Sequence, residues 1–215
     1  MSDIKIDMHT HILPEKLPNF AEKFGYGDFI HLVRRRPHYA DMMKGDEFFR
    51  EINENCWDPK VRIEEYAKFR TQYQVVCTIP VMFSYWAKGA DCLSLSQFLN
   101  DDIAQLVTDY PSNYIGLGTI PMQSPALAVQ ELERLKILGL KGIQIGSNIN
   151  NKNLDEPEFY PIWEACEALD IAVMIHPWEM MGRENMGKYW LPWLVGMPAE
   201  TARAACSLIF GGVME

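Results

Sequence analysis

Short apolar or β-branched runs alternate along this chain with longer stretches in which apolar residues recur every three or four positions. That is the pattern of βαβ units. Strands are expected at Ile4 to His9, Val75 to Ile79, Tyr114 to Ile120, Gly142 to Ile145 and Ile171 to His176. The helical stretches carry their own punctuation. Asp58 before Pro59 supplies an N-cap and a first-turn proline, with Val61, Tyr66, Phe69 and Tyr73 available for the buried face. Ser124 before Pro125 repeats the device, and Leu127, Leu132, Leu135 and Leu138 run to Gly139, which suits the left-handed position that ends a helix. A third helix uses Leu95, Phe98, Leu99, Ile103, Leu106 and Val107 and stops before Pro111. A fourth uses Ile162, Trp163, Cys166 and Leu169, and a last one runs from about Pro198 to Phe210.

Strand-then-helix units in this order predict an α/β chain of the (β/α) TIM-barrel type, one domain over residues 1–215, with about five of the eight units that close a barrel. Residues 14–56 are long for a βα loop and mix aromatics, basic residues and glycines. They are expected to form a small insertion after the first strand, over the face where barrels keep their chemistry.

Composition narrows the partners. Twenty basic against 29 acidic residues give a net charge of −9, which argues against nucleic acid and requires that an anionic ligand be held by a few local cations. Charged and polar residues break every apolar run from Met1 to Ile12, and nowhere do about 18 apolar residues follow one another. Neither signal peptide nor membrane contact is expected, and the cytosol is the expected compartment. The five cysteines are scattered without a C-x-x-C pair and read as reduced thiols.

Candidate chemistry begins on the first strand. Asp7, His9 and His11 share one parity, so both imidazoles leave the same face, roughly 7 Å apart at Cα, close enough to converge on one divalent ion. His176 ends the fifth strand on the parity of Ala172 and Met174 and points into the same interior. By itself Arg50, among Asp46, Glu47 and Glu51, reads as part of a solvated face, and Met82, Phe83 and Trp193 read as packing residues. His31 and His38, near Arg34 to Arg36, read as surface residues.

Two histidines on the first strand and one on the fifth resemble the metal-binding start of the amidohydrolase superfamily. The strings Asp7 to Pro14, Asn55 to Pro59, Pro80 to Ala87, His176 to Trp178 and Lys188 to Thr201 resemble more closely the family of decarboxylases acting on 2-amino-3-carboxymuconate 6-semialdehyde. The resemblance runs through the whole chain. It implies that His9, His11 and His176 ligate Zn2+, that Arg50 grips a substrate carboxylate, and that Trp193, Met82 and Phe83 line the pocket. It also implies nonoxidative decarboxylation of a small anionic substrate in tryptophan breakdown, away from quinolinate and NAD synthesis, by a homodimer when full length. The family's base histidine, in a His-Gly-Gly segment, and an aspartate ligand are expected beyond residue 215, so no catalytic residue is assigned within the chain. The first and fifth strands are expected as open edges. The alternatives are another hydrolase or decarboxylase of the superfamily, and a noncatalytic chain that binds metal or pairs with complete subunits.

Overall fold

The computed structural model describes residues 4–215, so the reading of the Met1 to Ile12 segment falls partly outside the described residues. Strand β1 (Lys5–His11) extends two residues past the expected end and delivers both histidines. The chain then makes a short helix α1 (Phe20–Phe24), capped by the Asn19 side chain and closed by Gly25 at φ +75°. Next comes an antiparallel sheet of β2 (Ile30–Arg36), β3 (Tyr39–Lys44) and β4 (Glu47–Asn53), in that order. From there helices and strands alternate: α2 (Pro59–Ala67), β5 (Thr71–Cys77), α3 (Gly89–Asp109), β6 (Tyr114–Gly118), α4 (Pro125–Leu138), β7 (Gly142–Gly146), α5 (Tyr160–Ala168), β8 (Ala172–His176) and α6 (Met197–Phe210).

The main sheet has the order β1-β5-β6-β7-β8, with every pairing parallel. Five strands about 4.8 Å apart would put the outer two about 19 Å apart if the sheet were flat. The His9 and His176 rings, on those outer two strands, lie only 5.1 Å apart. The sheet is therefore strongly curled, half of a (β/α) barrel, with its inner surface at the histidines.

One core fills the layer between sheet and helices, around Val76, Ile103, Leu132, Leu135, Ile143 and Ile145. A second joins the antiparallel sheet to α3 through Leu13, Phe20, Phe29, Met42, Leu95 and Leu99. Asp58 caps α2 through the Lys60 and Val61 N–H groups, and Gly139 ends α4 at φ +79°. Two local readings need correction. Ser124 makes no side-chain cap. Helix α2 stops at Ala67, so Phe69 is 71% exposed and Tyr73 belongs to β5; the residue α2 buries is Arg62. The cause is the turn at Lys68 to Arg70, with Arg70 at φ +59°.

All five cysteines are free. No helix among the described residues is long and apolar enough to cross a membrane.

Asp102, on α3, is half-buried with no ion-pair partner among the described residues, and desolvation raises its carboxyl to about 6. Between its ordinary value of 3.8 and about 6 the folded state holds a proton that the unfolded chain has released, so stability is lost as pH rises through that window. Asp102→Asn is expected to add about 1 kcal/mol at pH 8, after discounting for partial exposure, and almost nothing below about pH 4. Urea unfolding at both pH values measures this, and an equal gain at both would remove the electrostatic explanation.

Candidate metal centre

The parity that puts Ile6 and Met8 on the outer face of β1 puts His9 and His11 on the inner one. There the three histidines meet. Ring centroids lie 4.8 Å apart for His9 and His11, 5.1 Å for His9 and His176, and 5.4 Å for His11 and His176. An ion about 2.1 Å from each ligating nitrogen sits about 3.2 Å from the ring centroids, so ligand angles of roughly 90–115° separate the centroids by about 4.5–5.4 Å. The observed triangle fits one shared ion.

The hydrogen bonds point the same way. Nδ1 of His11 lies 2.9 Å from the Thr78 carbonyl, and Nδ1 of His176 lies 2.8 Å from the Pro177 carbonyl. A carbonyl only accepts, so each Nδ1 carries the proton and each Nε2 keeps its lone pair for a ligand role. Burial, and then the neighbouring His9, lower the His11 pKa to about 4; burial also lowers that of His176. Both rings are neutral at physiological pH, the form that binds metal.

Cys77 lies close enough to form a set with His9 and His11. Its Sγ, however, sits 3.5 Å from the Nδ1 of His11 and donates to the Thr10 carbonyl at 3.3 Å. Burial pushes its thiol to about 12. It packs behind His11 as a neutral thiol.

Arg50 is exposed on β4 and lines a cavity of about 290 Å³ together with His11, Met42, Phe49, Ile52 and Ile79. The nearby Arg34, Arg35 and Arg36 pair with Glu15, Asp41 and Glu51, whereas Arg50 has no carboxylate partner among the described residues. The remaining candidates lie elsewhere. Met82 and Phe83 are buried, Phe83 against Tyr85 and Trp178. Trp193, 47% exposed, lines a separate hollow with Lys188, Tyr189 and Trp190. His38 pairs with Glu54, and His31 is half-buried on β2.

Arg62 escaped the reading of the sequence. Its buried guanidinium donates to the His11 and Asn55 carbonyls and to Gln74 Oε1, each at 2.9 Å, so it holds the end of β1 in place. Charged residues on a helix are expected outside, and no local pattern announces this one.

The chain resembles known proteins to different depths. A 2-amino-3-carboxymuconate-6-semialdehyde decarboxylase of Dictyostelium discoideum is 57% identical over 213 residues, covering 99% of this chain and 59% of that protein. Its counterpart in Caenorhabditis elegans is 34% identical, over 98% of this chain and 65% of that protein. The chain thus spans about six tenths of the length of these relatives. Among solved structures, a 5-carboxyvanillate decarboxylase of Novosphingobium aromaticivorans with bound manganese superposes at a TM-score of 0.64 and 27% identity, over 73% of this chain and 46% of that one. The apo IDCase of Metarhizium anisopliae, at 18% identity, shares the fold with a TM-score of 0.81 over 99% of this chain and 62% of that one. The family described as Amidohydrolase matches residues 6–215, and the chain belongs to it.

Proposed function

We propose that this chain serves a zinc-dependent, nonoxidative decarboxylase acting on 2-amino-3-carboxymuconate 6-semialdehyde. The observation that carries the proposal is the cavity lined by both the ligand-poised His11 and Arg50, which has no carboxylate partner among the described residues. The 57% identical relative supplies the substrate. In this reading His9, His11 and His176 hold the ion through nitrogen donors that suit zinc, although the Novosphingobium relative holds manganese. Zinc, when bound, supplies the Lewis acidity that makes water nucleophilic near neutral pH.

The chain's own residues bind and enclose the substrate. Arg50 binds a substrate carboxylate through two parallel hydrogen bonds, a local cation on a protein with net charge −9. Phe49 and Ile52 give the carbon skeleton an apolar wall, and Met82 supports the Ile79 end, donating its N–H to the Ile79 carbonyl at 2.9 Å. Phe83 backs Trp178, whereas Trp193 lines a hollow of its own with Lys188, Tyr189 and Trp190 and takes no part in this enclosure. The same reading carries a homodimer in the cytosol and a role in tryptophan breakdown.

The test measures substrate disappearance and carbon dioxide release by the zinc-loaded chain, alone and extended by the His-Gly-Gly and aspartate segments that the resemblance requires, with His9→Ala as the blank. Arg50→Ala is expected to raise KM roughly 10–100-fold with a smaller change in kcat. Preferential hydrolysis of amides or esters, or a KM indifferent to Arg50, would move the chain to another amidohydrolase activity.

A further inference from the structure

His176 closes an edge strand and leads into a loop rather than a helix. Its ring is oriented by the hydrogen bond from Nδ1 to the Pro177 carbonyl. That carbonyl belongs to the same peptide unit as the Trp178 N–H, because the six atoms of a peptide are planar and turn together. The Trp178 N–H donates to Ser147 Oγ at 3.0 Å. Ser147 Oγ has one proton and two neighbours that accept it, Glu200 Oε2 at 2.9 Å and the Trp178 carbonyl at 3.2 Å. The shorter, charged contact takes it.

The Glu200 carboxylate is completely buried on α6. Its Oε1 accepts from the Met181 N–H at 2.9 Å; its Oε2 accepts from Arg203 at 2.7 Å and from Asn148 Nδ2 at 3.2 Å, as well as from Ser147. Asn148 donates its second N–H to the Trp178 carbonyl at 2.7 Å. Burial alone would raise this carboxyl, yet the donors of Met181, Arg203 and Ser147 hold it below the usual range. One ionised side chain therefore ties the end of β7 to both ends of the 178–181 loop.

We propose that Ser147 and Glu200 are positioning residues for the metal: through the Pro177–Trp178 peptide they set the plane and tautomer of His176. The inference rests on the reading of His9, His11 and His176 as ligands. It extends that reading to residues that do not touch the ion, where loss of an outer hydrogen bond commonly costs 10–100-fold in metal affinity.

The experiment titrates the full chain with Co2+, reading Kd and the visible d–d spectrum, and records the metal-free Tm separately. Ser147→Ala and Glu200→Gln are the variants; Leu132→Ala, in the core away from the loop, is a control for general destabilisation. The expected result is a Kd at least about tenfold weaker and an altered spectrum in Ser147→Ala and Glu200→Gln. Leu132→Ala should lower Tm and leave both readings unchanged. Glu200→Gln should still fold, because the amide keeps the shape; should it not, Ser147→Ala decides alone. Wild-type Kd and spectrum in Ser147→Ala would overturn the positioning role, as would an equal weakening in Leu132→Ala. If the unaltered chain binds Co2+ no better than His9→Ala, the ligand reading itself has failed, which is a different result.

Discussion

His176→Ala is expected to weaken Zn2+ binding by roughly 100-fold or more, because it removes one of three imidazole donors and leaves two from a single strand. Competition with a chromophoric chelator gives the number. The prediction is sharpest beside Cys77→Ser. Cys77 is near enough to replace His176 in the set, but its Sγ lies on the Nδ1 side of His11 and donates to Thr10. Should Cys77→Ser abolish binding while His176→Ala stays near wild type, the ligands are His9, His11 and Cys77, and the curl of the sheet is irrelevant to the metal.

The second large effect is one of stability. Arg62→Ala is expected to cost about 3–5 kcal/mol, since truncating a buried charge strands its acceptors and opens a cavity. The acceptors are the carbonyls of His11 and Asn55 and the Gln74 side chain. No carboxylate among the described residues pairs with this guanidinium, so the whole penalty falls on uncharged oxygens. Urea unfolding with an unchanged m-value measures it. A loss under about 1 kcal/mol would mean that water substitutes for the guanidinium.

Much of this fold was legible because parallel strands and their helices obey short periods. The five inner strands, the Asp58 cap, the Gly139 stop and the shared parity of His9 and His11 all depend on residues within one or two turns of each other. The antiparallel sheet in residues 14–56 was not anticipated. Strand β4 reads Glu-Phe-Phe-Arg-Glu-Ile-Asn and leaves Phe48 and Phe49 exposed, so its pattern lacks the alternation that marks a half-buried strand. Arg62 and Glu200 were illegible for another reason. Each is buried because it is satisfied in large part by partners distant in sequence, His11 for Arg62 and Ser147 for Glu200, and periodicity carries no information about such partners.

At the site, the histidines were legible from strand parity, whereas Arg50 by itself read as a solvated face and became a candidate only through the family resemblance; the structure places His11 and Arg50 on one cavity. The apolar candidates were not separable from core. Met82 and Phe83 are core in the structure, and Trp193 sits on a different surface.

The curl that brings His9 within 5.1 Å of His176 also fixes when the centre can exist during folding. Residues 11 and 176 are 165 positions apart in the sequence, and β1 and β8 share no ladder; they meet only through the three strands between them. A hairpin or a single βαβ unit, formed early from local contacts, holds either the His9–His11 pair or His176, never both. Closing so long a loop directly carries a large entropic cost, so the third histidine arrives only after every strand has found its register. On the proposed reading, a complete three-histidine centre is therefore a late product of folding, and an ion held there would clasp β1 to β8.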